Sequence, residues 1–191
     1  MKFFELLMQQ SGCIFEATSM AAPCGVSRTT LQNYLRALED TYAMAVIKPF
    51  YTNKTKEIVS APKVYGFDTG FVAFNKGWLD IRPDDRGILW EHIVLNQLFA
   101  FGFKKQTRYW RTKQMREVDF VIVRRGKPPV AIEARWKTGG SSDTKNLLHF
   151  AKSYPESELI VVAQDIDRPF TRKQGGQTIH YKNITQLVAD L

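Results

Sequence analysis

Acidic side chains lie inside two apolar segments in the second half of the chain. The first segment is Glu117-Val118-Asp119-Phe120-Val121-Ile122-Val123, and the second is Val130-Ala131-Ile132-Glu133-Ala134-Arg135-Trp136-Lys137. A buried carboxylate is costly unless it pairs with a base or holds a cation. These acids therefore indicate either a functional site or an ion-pair network.

Both segments have the composition of β-strands, whose side chains alternate between two faces. The residues expected on the face of Asp119 are Glu117, Val121 and Val123. Those expected on the face of Glu133 are Ala131, Arg135 and Lys137. If the two strands are neighbours in one sheet, the carboxylates of Asp119 and Glu133 converge.

Two converging carboxylates repel each other unless a cation or a shared proton lies between them. Their oxygens suit Mg²⁺ or Mn²⁺, which keep several water ligands and bridge to phosphate oxygens. Such an ion would polarise a phosphodiester and activate a water molecule. The alternative is that each acid pairs with a nearby base, for example Asp119 with Arg135. The residues alone leave both interpretations open.

A long helix is predicted from Ile88 to Phe103, with Glu91 on its second turn. Its apolar face consists of Trp90, Val94, Leu98 and Phe101, which recur at helical spacing. The polar, turn-rich stretch 82–87 before it is typical of a domain boundary. We therefore predict two domains, 1–80 and 81–191. The helix and the strands of the second domain predict an α/β sandwich around a mixed central sheet.

Positive charge is concentrated in the second domain. The chain carries a net charge of +8, with 8 basic and 7 acidic residues in 1–80 against 19 and 12 in 81–191. Within residues 104–127, nine basic residues accompany two acids and the aromatics Tyr109 and Trp110. Such a surface fits a groove that binds nucleic acid, where basic side chains neutralise phosphates and aromatic rings stack on nucleobases. The alternative is a solvated hairpin with a basic face.

The first domain has the signals of a helix-turn-helix. A short apolar helix at 3–8 precedes a second helix from Ala17 to Cys24, which Gly25 ends and which Ser27 follows as an N-cap. The third helix has an apolar face formed by Leu31, Tyr34, Leu35, Leu38 and Tyr42. Two strands, 45–47 and 63–67, flank a polar tip at 52–57 and resemble a wing. The domain is nearly neutral, so it either contacts DNA, through Arg28 among others, or packs against protein.

Other features narrow the function classes. Cys13 and Cys24 lack the spacing of a zinc site or a disulfide framework, and the three histidines are scattered. The N-terminus is interrupted by polar residues too early for a signal peptide, and no apolar run is long enough for a membrane span. We predict a soluble, cytoplasmic protein with no membrane partner. No phosphate-binding loop of the form GxxxxGK[ST] occurs, so this chain has no ATP site of that kind.

The chain resembles the C-terminal region of a large family of bacterial and archaeal AAA+-type ATPases, a region regarded as a domain of unknown function. The segments that carry the resemblance are 25–31, 61–70, 87–91, 109–112, 117–120 and 131–133. They span nearly the whole chain in the family's order. The resemblance implies a winged helix-turn-helix followed by a restriction-endonuclease-like domain of the PD-(D/E)xK type. It also implies Glu91, Asp119 and Glu133 as the three acidic members of that site.

Two features depart from the family pattern. Family members continue after the second acid as Glu-Val-Lys, whereas this chain reads Glu133-Ala134-Arg135. Arginine is larger, forked and effectively always protonated, so it mimics that lysine poorly. Lys137, one step further along the strand face, is the expected substitute. The second departure is the missing phosphate-binding loop, which makes the chain either a fragment of a longer protein or a product that lacks the motor.

Two hypotheses follow. The first is a Mg²⁺- or Mn²⁺-dependent nuclease with Glu91, Asp119 and Glu133 as metal ligands and Arg135 or Lys137 as phosphate stabiliser. The second is a non-catalytic module that attaches an AAA+ ATPase, in the same protein or in trans, to nucleic acid or to another protein. In both, the residues expected to contact nucleic acid are Arg28, Lys104, Lys105, Arg108, Trp110, Arg111 and Lys113.

Overall fold

The computed structural model describes residues 2–52, 60–139 and 144–191, which form a mixed α/β structure. The elements up to residue 80 are α1 (Lys2–Gln9), β1 (Cys13–Ile14), α2 (Ala17–Cys24), α3 (Arg28–Asp40), β2 (Met44–Pro49), β3 (Lys63–Gly66) and α4 (Thr69–Asn75). Those after it are α5 (Asp85–Ala100), β4 (Thr107–Arg111), β5 (Glu117–Ile122), β6 (Val130–Arg135), α6 (Lys145–Ser153), β7 (Glu158–Ala163), β8 (Phe170–Gln174), β9 (Gln177–Lys182) and α7 (Ile184–Asp190).

The turn between α2 and α3 follows the predicted local signals. Gly25 ends α2 with φ 65°, in the left-handed region that glycine adopts without a side-chain penalty. The Ser27 hydroxyl accepts a hydrogen bond from the Thr30 backbone N–H and begins α3. A helix, a glycine turn and a capped helix therefore follow one another as the sequence predicts.

The two expected flanking strands are present as the antiparallel pair β2 and β3, with Ala45 opposite Tyr65 and Ile47 opposite Lys63. Apart from Thr52, the polar tip expected between them lies outside the described residues. The pair positions Lys63 and Tyr65 two residues apart on β3, so that their side chains point to the same face.

Helix α5 begins and ends three residues earlier than the predicted range of 88–103. At its start, the Asp85 carboxylate accepts a hydrogen bond from the Arg82 backbone N–H, which fixes the first turn. At its end, Gly102 adopts φ 88° and the Phe103 backbone N–H returns to the Leu98 carbonyl oxygen. The glycine therefore ends the helix before Phe103, where the apolar pattern alone would extend it.

A single mixed sheet of nine strands runs through the described residues in the order β1-β3-β2-β4-β5-β6-β7-β9-β8. The parallel pairs are β2 with β4, β6 with β7 and β7 with β9. The β2–β4 pair, with Lys48 opposite Arg108, joins the strands of residues 1–80 to those of 81–191. Hydrogen bonding in the sheet is thus continuous across the predicted boundary, and the division into two domains stays a prediction.

Two apolar layers cover the part of the sheet formed by β4–β9. Helices α5 and α7 contribute Trp90, Val94 and Leu187 to one layer, and α6 contributes Leu147 and Phe150 to the other. A third cluster fills the space between α1, α2, α3 and the β2–β3 pair. Within the described ranges, no helix combines the length and apolar character needed to cross a membrane.

Strand β5 does not alternate strictly, which changes the predicted position of its acids. Its register against β4 places Val118 opposite Trp110 and Val121 opposite Arg108, so three steps on β5 match two on β4. This bulge puts Val118 and Val121 in the same apolar layer, although they are three residues apart. The expectation that Asp119 shares one regular face with Val121 is therefore wrong, because the extra residue shifts the alternation between them.

Candidate functional site

Four carboxylates, here called the acid cluster, lie around the first residues of β5. They are Glu91 on α5, Glu117 and Asp119 on β5, and Glu133 on β6. Antiparallel pairing of β5 with β6 brings Asp119 and Glu133 together, since Phe120 lies opposite Ile132 and each acid is the next residue beyond that pair. Both carboxylates contact Arg135, through Asp119 Oδ2 and Glu133 Oε1. The predicted trio of Glu91, Asp119 and Glu133 is thus assembled in one region.

Glu91 is held by two side chains from β3. Its Oε1 atom accepts hydrogen bonds from Lys63 Nζ at 2.8 Å and from the Tyr65 hydroxyl at 2.6 Å. Burial would raise the pKa of Glu91, but the Lys63 charge and these hydrogen bonds lower it below its ordinary value. Glu91 is therefore an ionised carboxylate with an internal cation.

Lys63 is a member of the site that the sequence reasoning missed. Its Nζ also lies 2.6 Å from Glu117 Oε1, and its side chain is only 5% exposed. Burial alone would lower the pKa of Lys63, but Tyr65, Glu91, Asp119 and Glu117 raise it well above its ordinary value. The lysine is therefore a buried ammonium that the surrounding acids keep in its charged form. The available signal was a lysine inside the apolar strand Lys63-Val64-Tyr65-Gly66, where a buried charge needs a partner.

The Asp119 side chain, on β5, contacts the backbone of β6. Its Oδ2 accepts a hydrogen bond of 2.9 Å from the Ala134 backbone N–H and lies 3.7 Å from Arg135 Nη1. Burial and the nearby Glu91 charge raise the pKa of Asp119 to about 7, against the opposing effects of Lys63 and Arg135. The pairing of Asp119 with Arg135, weighed above as the alternative to a metal site, is present.

Glu133 is the most buried carboxylate of the cluster. Its Oε1 atom accepts a hydrogen bond from Arg135 Nη2, whereas its buried Oε2 atom has no hydrogen-bond partner among the described residues. Burial, followed by the charge of Asp119, raises the pKa of Glu133 well above its ordinary value. Arg135 thus occupies the lysine position of the family pattern and neutralises two acids of the cluster.

The arrangement does not fit a divalent ion as it stands. Lys63 and Arg135 already bind oxygens of all four carboxylates, and the partnerless Glu133 Oε2 is a single ligand atom. Over residues 2–52, 60–139 and 144–191, no group of three or more His, Cys, Asp or Glu side chains is placed to hold a metal ion. Binding of Mg²⁺ or Mn²⁺ by Glu91, Asp119 and Glu133 stays a prediction.

Lys137 lies away from the place expected for it. Strand β6 ends at Arg135, and Lys137 follows in a bend with an exposed side chain. The expectation that Lys137 shares a strand face with Glu133 is wrong, because the strand that would define this face has already ended. Arg135, by contrast, does point to the acid cluster.

The basic residues of the run 104–127 lie in several separate parts of the structure. Arg111 contacts Glu117 at 3.3 Å and the Met115 sulfur at 2.8 Å, so it belongs to the edge of the acid cluster. Arg116 lies 3.2 Å from His149, and Arg124 donates to the terminal Leu191 carbonyl. Lys113 is exposed in the turn that follows β4. The run therefore does not form one uniform patch.

Trp110 cannot present its ring to a nucleic-acid base in this structure. It is 6% exposed and packs edge-on against Phe150, with ring centroids 5.3 Å apart, and against His149. The expectation of a stacking platform at Trp110 is wrong, because the alternation of β4 turns this ring into the apolar layer under α6. The sequence pattern did not show which face of β4 is covered.

The first basic residues of the run lie close to basic residues of the segment 1–80. Lys104 Nζ lies 4.8 Å from the centre of the Tyr42 ring, and both Lys104 and Lys48 lower the pKa of Glu39 against the dominant effect of burial. Arg108 is paired with Lys48 across β2 and β4 and donates to the Lys105 carbonyl oxygen. The resulting set, here called the basic surface, comprises Arg28, Arg36, Lys48, Lys104, Lys105 and Arg108.

A groove of about 470 Å³ forms part of the basic surface. Arg28, Arg36 and Lys48 line it together with two acids, Glu16 and Glu39. The predicted contacts Arg28, Lys104, Lys105 and Arg108 lie on α3, in the loop before β4 and on β4. Two of the basic members, Arg36 and Lys48, were not among the residues predicted to contact nucleic acid.

Comparison with protein families divides the chain into two matched regions. Residues 1–81 match a family described as a domain of unknown function (DUF8612), and residues 86–184 match another described as a domain of unknown function (DUF4143). The second match covers more than half of the chain. The chain belongs to the DUF4143 family. The four carboxylates of the acid cluster lie in the DUF4143 region, whereas Lys63 and Tyr65 lie in the DUF8612 region.

The relatives and the solved structure that match this chain are distant from it in sequence. Over 127 residues, 64% of this chain, it is 32% identical to the uncharacterized protein Rv2008c of Mycobacterium tuberculosis and to the uncharacterized protein Mb2031c of Mycobacterium bovis. The aligned region spans 29% of each of these proteins. A chain in an assembly of Thermococcus gammatolerans McrB AAA+ hexamers with bound McrC matches 94% of this DUF4143 chain, with 46% of its own length covered, a TM-score of 0.40 and 11% identity.

Proposed function

We propose that the chain is a nuclease-like module that engages nucleic acid without cutting it. In this proposal, residues 1–80 are a winged helix-turn-helix domain and residues 81–191 are a restriction-endonuclease-like domain. The acids Glu91, Asp119 and Glu133 are retained from a PD-(D/E)xK site. Internal cations now bind them, and they serve the stability of the module.

The observation that carries this proposal is the neutralisation of the acid cluster from inside the protein. Lys63 binds Glu91 and Glu117, and Arg135 contacts Asp119 and Glu133. Metal-dependent cleavage needs carboxylate oxygens that are free to coordinate an ion and a water molecule. Guanidinium and ammonium groups that already bind these oxygens compete directly with that ion.

The basic surface supports nucleic acid as the partner. Its six basic side chains come from α3, β2, the loop before β4 and β4 itself. Three of them, Arg28, Arg36 and Lys48, line the groove beside the acids Glu16 and Glu39. Lysine and arginine side chains bind phosphates, release counterions and need no particular base sequence. Because Trp110 is buried, binding here is expected to depend on phosphate contacts and not on stacking.

The test is incubation of the purified protein with labelled single- and double-stranded DNA and RNA in the presence of Mn²⁺. Native gels report binding and denaturing gels report cutting. We expect retarded, intact nucleic acid with wild type. The variant Lys104→Glu/Lys105→Glu/Arg108→Glu should bind more weakly, whereas the control Lys127→Glu/Arg168→Glu/Lys173→Glu, with the same change in net charge, should bind nearly as wild type. Equal loss in both variants would contradict a defined surface.

A second candidate function is cleavage of phosphodiesters with Mg²⁺ or Mn²⁺. It is favoured by Glu133, whose buried Oε2 atom has no hydrogen-bond partner in the described part of the chain, and by the raised pKa values of Asp119 and Glu133. Both features are typical of buried carboxylates whose burial is only partly offset by the nearby Arg135 charge. In this case Mn²⁺-dependent cutting by wild type disappears in Asp119→Ala, and Arg135→Lys increases it.

An AAA+ ATPase is the proposed protein partner, in the same polypeptide or in trans. The proposal rests on the family resemblance and on length, because the aligned region spans only 29% of the mycobacterial relatives. The remainder of such a protein has room for an ATPase. Co-purification of the chain with a candidate ATPase, and its loss on mutation of a surface outside the basic surface, would test this link.

A further inference from the structure

We propose that Lys63 is a built-in cation that stands where a divalent ion would otherwise bind, and that removing it opens a metal site at Glu91 and Glu117, the two carboxylates that it bridges. This inference goes beyond nucleic-acid binding and does not depend on it. It assigns to a residue of the DUF8612 region the role of closing the acid cluster of the DUF4143 region.

The position of the ammonium group is the first argument. Lys63 Nζ lies 2.8 Å from Glu91 Oε1 and 2.6 Å from Glu117 Oε1, so it bridges carboxylates from α5 and β5. Divalent ions bind carboxylate oxygens at slightly shorter distances, about 2.0–2.6 Å. Small shifts of the two glutamates would therefore convert the place of the ammonium into a metal position. The Tyr65 hydroxyl, 2.6 Å from Glu91 Oε1, holds that carboxylate in orientation.

The charge balance is the second argument. The acid cluster has four carboxylates, and the basic side chains that contact them are Lys63, Arg111 and Arg135. Without Lys63, Glu91 loses its ammonium partner in a largely buried place. Such a carboxylate must take up a proton or a cation. A divalent ion satisfies several carboxylates at once, whereas a proton satisfies one.

A second observation shows that the resident cations do not satisfy every carboxylate oxygen of the acid cluster. Glu133 is 2% exposed at its side chain, and its Oε2 atom has no hydrogen-bond partner among the described residues. Glu133 and Asp119 both contact Arg135, which places Glu133 at the same cluster. The resident cations therefore leave one buried acceptor unused, and a metal ion admitted by the loss of Lys63 would find a further acidic neighbour.

The experiment is a titration with MnCl2, followed by the electron paramagnetic resonance signal of free Mn²⁺ and by the melting temperature. We expect Lys63→Ala to bind one Mn²⁺ at least about tenfold more tightly than wild type, because an ammonium charge no longer repels the ion. Its melting temperature should be below that of wild type without metal and should rise with Mn²⁺. Lys63→Arg, which keeps the charge, should respond as wild type does.

The double variant Lys63→Ala/Glu91→Gln tests whether the ion binds at the proposed place, and it should lose the added affinity. Equal Mn²⁺ affinity of wild type and Lys63→Ala, or full retention of affinity in the double variant, would overturn the proposal. If Lys63→Ala does not fold, Lys63→Gln replaces it with the same expectations. The wild-type protein offers a further check. If wild type binds Mn²⁺ tightly and Glu91→Gln abolishes that binding, then Lys63 does not close the site. None of these outcomes changes the expected gel retardation of nucleic acid. The proposal that the chain binds nucleic acid is therefore tested separately.

Discussion

Lys63 on β3 and Glu91 on α5 form an ion pair with 2.8 Å between Nζ and Oε1, although 28 positions separate them in the chain. The pair joins the two regions that match different families. It is an ion pair of the kind that the sequence left open as the alternative to a metal site. The stability of the fold and the chemistry of the acid cluster therefore depend on the same contact.

Loss of the Lys63 charge should destabilise the protein strongly. In Lys63→Met the apolar part of the side chain remains, but Glu91 and Glu117 lose their shared ammonium. Breaking a buried pair by removing one partner costs about 3–5 kcal/mol. Denaturant unfolding at neutral pH measures this change. The control Lys137→Met, at an exposed lysine of the same half, should change the free energy of unfolding by less than about 0.5 kcal/mol, and a similar loss in both variants would contradict a special role for Lys63.

The pH dependence of stability should report the Asp119 carboxyl group. Its pKa is raised from 3.8 to about 7 in the folded protein, so the folded state keeps a proton that the unfolded state releases. The resulting stability is complete below about pH 4 and is lost as the pH rises through about 7. Asp119→Asn carries no such proton, so its free energy of unfolding should fall less than that of wild type over this interval. Parallel curves for the two proteins, measured by denaturant unfolding from pH 4 to 8, would refute the raised pKa.

Nucleic-acid affinity should lose part of its salt dependence when the basic surface is reversed. If Lys104, Lys105 and Arg108 each neutralise one phosphate, the slope of log K against log salt should decrease by about two to three in magnitude in the triple glutamate variant. Fluorescence anisotropy with labelled duplex DNA at several salt concentrations gives the slope. An unchanged slope in a folded variant would remove these residues from the interface.

Trp110 should prove to be a core residue. Trp110→Ala removes a ring that packs against Phe150 and His149, and truncation of a buried tryptophan costs about 3–5 kcal/mol. At a temperature where the variant is still folded, its affinity for nucleic acid should equal that of wild type. A selective loss of affinity with unchanged unfolding free energy would restore the stacking role that the sequence predicted.

Local signals predicted the elements that depend on neighbouring residues. Gly25 and Ser27 define the turn between α2 and α3. The strands that carry Asp119 and Glu133 were also expected, because long apolar runs with isolated acids are distinctive. By contrast, the sequence did not predict α4, β8 and β9. All five residues of β8 are exposed, so it has no apolar alternation that a pattern search could detect.

The amino-acid sequence by itself determined which acids enter the apolar strands, where the turn of the helix pair lies and where the basic residues are concentrated. Only the tertiary structure decided which cation each acid receives. Glu91 meets Lys63 because β3 and α5 pack together, and Asp119 leaves the regular alternation because β5 carries a bulge against β4. Periodicity describes a residue's position within one element, whereas the partner of a buried charge depends on how separate elements pack, which spacing along the chain does not encode.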